Sequence, residues 1–399
     1  MVSPASRPYI DASVPVLREH GLAITSTFYR NMFAEHPELT KLFNMGNQAN
    51  GAQQQSLAAA VFAYAANIDN AQALAPVVRR IVHKHASVGI RAEHYPIVGR
   101  HLLGAIQETL GEAATAPLLA AWDEAYGELA DALIAAEREL YAEAGVAAGE
   151  LRAVRVTEVV RQSEDVLSFT LQAVDGKALP GFKPGQYVSV AVSFADGSRQ
   201  LRQYSLSDTP LAAHLRISVK REAGNPQAPA GQVSNWLHEN VKAGDILQIT
   251  HPFGDFTPDV ESSEPVVLLS AGVGITPMVA ALNHIARVNP ARHVIFAHAA
   301  RDAEHHAHQA DVAAAKAAMP NLRVLTFHET ASATTARDLH AGRMDAVRLP
   351  SWPRTETNVY LCGPLAFMRE QWQALIAAGT PAARLHREVF GPEMLDYLG

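Results

Sequence analysis

The chain has 399 residues, 48% apolar and 18% charged, with a formal net charge of −7 at pH 7. At about 150 residues per domain, this length predicts two to three domains with proper cores. The acidic excess lies mainly in the first 150 residues, which excludes a nucleic-acid-binding footprint, and the single cysteine, Cys362, excludes an internal disulfide and a four-cysteine iron–sulfur cluster.

The opening stretch MVSPASRPYIDASVP lacks the continuous apolar core of a secretory leader, and no run approaches the roughly 18 apolar residues of a membrane span. A cytoplasmic location is the expectation. Residues 1 to about 150 read as helix after helix, rich in alanine, with turn signals at 44–51, at 67–70 and at Gly111. A helix advances about 100° per residue, so Val78, Ile81 and His85 share a stripe, whereas His83 lies about 160° from Ile81, beside Arg79 and Arg80. Of the two histidines, His85 is the one expected to face inward, where a neutral imidazole can ligate iron while its other nitrogen is held from behind.

Other inward stripes carry polar groups. Leu17, Gly21, Ile24 and Phe28 align, with Tyr29 beside them. Gln53 heads a row with Leu57, Val61 and Tyr64. Tyr95 leads Val98, Leu102 and Ile106, and Glu137 follows Trp122, Tyr126, Leu129 and Leu133. Unpaired in a core, such groups cost roughly 1–3 kcal/mol each, so Tyr95 and Glu137 are expected to bind one another, while Tyr29 and Gln53 have the plain alternatives of a hydroxyl at the surface and an amide capping the first turn.

Around 145–152 a linker precedes short alternating strands, RAVRVTEVV, VLSFTLQAV, QYVSVAVSF and LRISVKRE, divided by turns at Asp175-Gly176, Pro184-Gly185 and Asp196-Gly197. These predict a small antiparallel barrel, with the Pro-rich stretch 224–231 as a surface loop. From about 262, strands and helices alternate, which predicts a parallel sheet with crossover helices; the stretch AEHHAHQADVAAAKAAM is expected to be one of those helices.

Arg202-Gln203-Tyr204-Ser205, at a strand end, combines groups suited to a flat cofactor: Arg for a pyrophosphate, Tyr for stacking, Ser for a ring nitrogen. Tyr187 adds a second aromatic, and Gln232-Val233-Ser234 opens a helix whose free N–H groups favour phosphate. The turn Gly272-Val273-Gly274-Ile275-Thr276-Pro277 follows the apolar strand VVLLS and starts a helix. Small residues there let the backbone approach a dinucleotide. His298, His305, His306 and His308 mimic a metal cluster, but a surface role is expected.

The order Phe28-Tyr29, Pro37, Phe43, Asn44, Asn47-Gln48, Gln53, Leu57, Lys84-His85, Tyr95 and Glu137 resembles the globin domain of bacterial flavohaemoglobins, and the resemblance runs through the whole chain. Residues 151–399 are likewise similar to the ferredoxin–NADP reductase family. The resemblance implies a globin domain at 1–146, an FAD-binding antiparallel barrel at 151–260 and an NAD(P)-binding α/β domain at 261–399. It implies haem b, FAD and NAD(P)H as cofactors, with His85 as iron ligand, Tyr95 and Glu137 behind it, Tyr29 and Gln53 facing the bound gas, and Phe43 and Leu57 closing the pocket. Lys84 is counted with the cofactor-binding residues on the same ground.

In the reductase half it implies that Cys362-Gly363-Pro364 lies across the nicotinamide pocket from the Gly272 turn. Glu388-Val389-Phe390-Gly391-Pro392 then brings an aromatic over the flavin, with the Glu388 charge tuning it. The activity implied is nitric oxide dioxygenation, with O2 and nitric oxide as substrates, nitrate as product, detoxification as the role and no obligatory protein partner. Two rivals stay open: a gas-binding or sensing haem protein with a maintenance reductase, and an NAD(P)H oxidase. His298-Ala299-Ala300-Arg301-Asp302 offers both an arginine for a 2′-phosphate and a repelling aspartate; NADH is the expected donor.

Overall fold

The computed structural model describes residues 2–225, 229–330 and 338–392. Part of the expected Pro-rich loop, 226–228, lies outside them. The alanine-rich periodicity becomes helices α1 (Arg7–Glu35), α2 (Met45–Ala49), α3 (Ala52–Ala66), α4 (Ala71–Val88), α5 (His94–Leu110) and α6 (Ala116–Ala144). Among the described residues, no helix is long and apolar enough to cross a membrane. α2 falls inside the stretch expected to be only a turn. Asn44 caps it, its side-chain oxygen accepting from the N–H groups of Gly46 and Asn47, and that local bond holds a helix too short and polar for periodicity to reveal.

The residue that ends α4 matters for the site. Gly89 adopts φ +82°, its N–H donates to Ala86 O, and the next N–H, of Ile90, donates to His85 O, a left-handed cap that stops the helix one turn after His85. A Cβ at Gly89 would also lie 2.5 Å from Gly149 Cα. The helix end therefore abuts the segment joining the helical and β parts, and only glycine satisfies both demands.

The second part is a six-stranded antiparallel sheet: β1 (Arg152–Arg161), β2 (Val166–Ala173), β3 (Tyr187–Ser193), β4 (Arg199–Ser205), β5 (Leu215–Lys220) and β6 (Ile246–Ile249), in the order β4-β3-β6-β1-β2-β5. A bridge between Leu206 and Ile217 brings the two ends of that order together. Its core is Val154, Phe169, Val188, Val190, Ile217 and Leu237, the last from α7 (Gln232–Asn240).

The third part is a parallel sheet of β7 (Val266–Ala271), β8 (Val294–Ala300), β9 (Leu322–His328), β10 (Leu339–Ala341), β11 (Asn358–Cys362) and β12 (Leu385–Glu388), in the order β10-β9-β8-β7-β11-β12. Helices α8 (Ile275–Val288), α9 (Gln309–Ala318) and α10 (Leu365–Ala377) accompany it. The order reverses between β7 and β11. Open parallel sheets bind ligands at the carboxyl ends of the strands at such a point.

Two expectations are corrected here. The helix expected from 303 onwards begins only at Gln309, because His308 sits in the left-handed region at φ 60°. Its ring is clamped: His308 Nδ1 lies 2.9 Å from Asp311 Oδ2 and Nε2 lies 2.9 Å from Ser218 Oγ, tying α9 to the antiparallel sheet. Nor is the histidine group a surface feature. His298, His306 and His308 are buried together with His328, and the rings of His298 and His306 lie 4.8 Å apart.

Burial, followed by the neighbouring imidazoles, pushes His298 well below its usual range and His306 down to about 4. A histidine free in the unfolded chain titrates near 6.5, so the unfolded chain binds protons that the fold refuses. The stability these rings support is present above pH 6.5 and drains away as the pH falls toward 4. The melting temperature is therefore expected to drop between pH 7 and pH 5, and His306→Gln to flatten that drop. A variant that melts with the same pH dependence as the parent would exclude His306 as the cause.

Candidate functional site

A cavity of about 950 Å³ is lined by α3, α4 and α5 on one side and by β4, α7 and the segment after β12 on the other. Val78, Ile81 and His85 all reach it from α4. His83 does not: its Nδ1 accepts a hydrogen bond from Gly254 N–H at 3.1 Å, so it faces the loop that follows β6.

His85 Nδ1–H donates to Glu137 Oε1 at 2.7 Å, and Tyr95 O–H donates to the same oxygen at 2.5 Å, with the Tyr95 hydroxyl 3.1 Å from His85 Nδ1. Glu137 and Tyr95 are buried; burial, then the Glu137 hydrogen bond and charge, pushes the Tyr95 phenol far up, so it stays a donor. Because Nδ1 is engaged behind, the ring turns Nε2 toward the cavity. Tyr126 O–H anchors the helix behind by donating to Tyr95 O at 2.7 Å.

Across the cavity stand Tyr29, Phe43, Gln53 and Leu57. Burial pushes the Tyr29 phenol up to about 12 despite side-chain hydrogen bonds from Gln53 and Gln48, so the hydroxyl keeps its proton. Gln48, quoted only as part of the resemblance, is a site residue that sequence reasoning passed over. Its Oε1 accepts from Gln54 Nε2 at 3.0 Å, which leaves its buried Nε2 as the amide donor on the Tyr29 side. An imidazole nitrogen faces the cavity from one side and a neutral phenol with amide donors from the other, in walls otherwise apolar: this donor set fits haem.

The β side of the cavity carries Tyr187, Arg202, Gln203, Tyr204, Ser205, Gln232, Val233 and Ser234. Ser205 Oγ is buried with no partner. Burial lowers the Arg202 guanidinium, and among the described residues no carboxylate pairs with it. Gly231 precedes α7 without a side-chain cap, so the first N–H groups of that helix are free for an anion. An orphan hydroxyl, a half-buried guanidinium bonded only to Gln200 Oε1 and Leu201 O among the described residues, and an open helix start fit the polar edge and pyrophosphate of a flavin dinucleotide.

Val273 and Thr276 also line the cavity. Gly272, Gly274, Ile275, Pro277, Cys362, Gly363 and Pro364 stand back from it, with Ile275 and Pro277 in the core of α8. Cys362 is fully buried, and burial, then the Glu388 charge, pushes its thiol well up. The two segments nonetheless touch across the point where strand order reverses: a Cβ at Gly274 would lie 2.3 Å from Cys362 O. Gly274→Ala must spread that crevice. It is expected to slow bleaching of the flavin band by NAD(P)H on the order of 10–100-fold with bound flavin unchanged; an unaltered rate would show that the turn accepts a methyl group without cost.

Lys84, Glu388, Val389, Phe390, Gly391 and Pro392 close the cavity between the two sides. Lys84 Nζ donates to Gly391 O at 2.8 Å and Val389 O at 3.3 Å. Burial, opposed by the Lys84 charge, pushes the Glu388 carboxyl up to about 7. Phe390 is half exposed at 45%.

Ser87, two residues after His85, was not anticipated. It is fully buried, its Oγ accepts from Gln203 Nε2 at 2.6 Å, and its carbonyl accepts from Ser189 Oγ at 2.6 Å. Its interactions join distant strands, which no local periodicity can signal.

Residues 26–133 match the globin family, residues 153–257 the oxidoreductase FAD-binding domain and residues 268–372 the oxidoreductase NAD-binding domain. The flavohemoprotein of Bordetella parapertussis is 50% identical over 406 aligned residues, covering 98% of this chain and 99% of that one. The flavohemoprotein of Chromobacterium violaceum is 49% identical over 401, covering 98% of each. Among solved structures, a flavohemoglobin from Malassezia yamatoensis with bound FAD and heme superposes with a TM-score of 0.87 at 28% identity, covering 98% of this chain and 100% of that one. The flavohem-like FAD/NAD-binding domain of a nitric oxide dioxygenase from Vibrio cholerae covers 60% of this chain and 99% of its own, at 38% identity and a TM-score of 0.56.

Proposed function

The chain belongs to the flavohemoprotein family, and on that footing we propose that it is a nitric oxide dioxygenase, converting NO and O2 to nitrate with electrons from NAD(P)H. The observation that carries the reading is the hydrogen-bonded set His85–Glu137–Tyr95 facing a cavity whose other walls carry flavin-type ligating groups. Bound there, NAD(P)H supplies hydride, FAD divides it into single electrons, and haem b supplies the iron at which the two gases meet. Each nitrate takes one electron, so one NAD(P)H serves two turnovers.

His85 Nε2 is the proposed iron ligand. Glu137 accepts the Nδ1 proton and gives the imidazole partial imidazolate character, which favours oxygen activation over storage. Tyr95 holds that carboxylate in place. Tyr29, protonated and backed by Gln53, donates to the oxygen that gains negative charge, while Phe43 and Leu57 limit access. Arg202 and the start of α7 would neutralise the pyrophosphate of a bound flavin, with Tyr187, Gln203 and Tyr204 available to frame its ring and Ser205 to meet a ring nitrogen. The Gly272–Pro277 turn and Cys362–Pro364 would flank a bound nicotinamide, with Phe390 able to give way to it and Glu388 and Lys84 setting the charge nearby. The division 1–146, 151–260 and 261–399 follows the same assignment. The Asp302 carboxylate, kept charged by its bond to His305, favours NADH over NADPH.

Consumption of NO is expected to require both O2 and NAD(P)H and to yield nitrate. Stoichiometric NO uptake without NADH-dependent nitrate would return the protein to the gas-binding class. Ser87→Ala is expected to slow anaerobic bleaching of the haem band several-fold behind the flavin band, because Gln203 loses its tie to the helix bearing His85; stopped-flow traces in which the haem keeps pace would exclude that link.

A further inference from the structure

Away from the cavity, the end of α1 meets α5. Glu35 is the last residue of α1 and His36 its cap; His101 projects from the middle of α5. The ligand-type atoms of these three side chains lie within 4.8 Å of one another. Glu35 Oε2 is 3.5 Å from His101 Nε2, close to the roughly 3.3 Å edge of a tetrahedron with zinc-like bond lengths.

His101 is 6% exposed, and its Nε2 is buried without a hydrogen-bond partner. His36 is set up from the other side. Its Nδ1–H donates to Glu38 Oε1 at 3.1 Å, the outer carboxylate that orients many metal-bound histidines, and its Nε2 is left as an acceptor. The negative end of α1 adds to the attraction for a cation.

A cation already visits the place. Arg100 donates to His36 Nε2 at 2.9 Å and lies 3.5 Å from Glu35 Oε2, but its side chain is 63% exposed and bonds only two of the three acceptors. We propose that Glu35, His36 and His101 form a site for a divalent late transition metal of the zinc type, which displaces the Arg100 guanidinium and clamps α1 to α5. Two imidazoles and one carboxylate select such ions over Mg2+ or Ca2+, which prefer all-oxygen shells. One position stays open to water.

The test uses the full-length, cofactor-loaded protein, stripped of metals with a chelator and titrated with Zn2+ in competition with a chromophoric chelator. The parent is expected to bind one Zn2+ that His101→Ala and Glu35→Gln each weaken on the order of 10-fold or more. Arg100→Ala is expected to bind Zn2+ more tightly, and Mg2+ is expected not to compete. Glu35 is 62% exposed, so its variant remains informative if loss of His101 disturbs the core. Glu35→Gln binding Zn2+ as the parent does, or Arg100→Ala binding it more weakly, would overturn the site.

Discussion

His85→Ala is expected to yield protein that retains its flavin and reduces it with NAD(P)H but lacks the Soret band and consumes no NO. His83 cannot substitute, because its Nδ1 is occupied by Gly254 and it faces the loop that follows β6. Tyr95 and Glu137 bind each other behind the vacated position and offer nothing at the place of the imidazole. Loss of a proposed direct ligand should exceed the 10–100-fold typical of losing an outer partner. The flavin-type groups on β4 and α7 lie on separate elements and should keep their function, so flavin reduction is the internal control. A variant with a full Soret band and unaltered NO consumption would remove His85 from the iron.

The second large effect is expected from Glu137→Gln, which keeps the shape and removes the charge. The amide can still accept from His85 or Tyr95, but it no longer draws the Nδ1 proton, so the imidazole becomes a weaker electron donor. NO consumption should fall about 10–100-fold with haem content near that of the parent. The iron–histidine stretching frequency of the reduced protein should fall as well. Loss of activity with an unchanged frequency would mean that Glu137 acts by positioning alone.

Much of this was legible in the chain. Stripes at helical spacing placed Tyr29, Gln53, Tyr95 and Glu137 toward interiors, and the cost of leaving such groups unpaired implied that Tyr95 and Glu137 meet one another. His83 and His85 were separated by angle alone. The β part announced itself through alternation and turn glycines, all the way to the strand-end position of Ser205. Where reading failed, the cause was non-local. The histidines at 298, 306 and 308 straddle a strand end and a charged, helical-looking stretch, yet His308 turns left-handed and anchors on Ser218 from another sheet, which pulls the segment inward.

The sequence by itself determined the three-part organisation, most of the elements and the family, because periodicity, turn chemistry and short motifs are local properties of the chain; α2, β6 and β10 are too short for periodicity to reveal. Only the tertiary structure decided which groups meet: that one Glu137 oxygen receives both His85 and Tyr95, that Gln48 joins Tyr29, that Ser87 links the His85 helix to Gln203, and that Glu35, His36 and His101 converge. Each of these is a contact of a few ångströms between residues distant along the chain. Such contacts are set by how helices and sheets pack, which no spacing within a single element records.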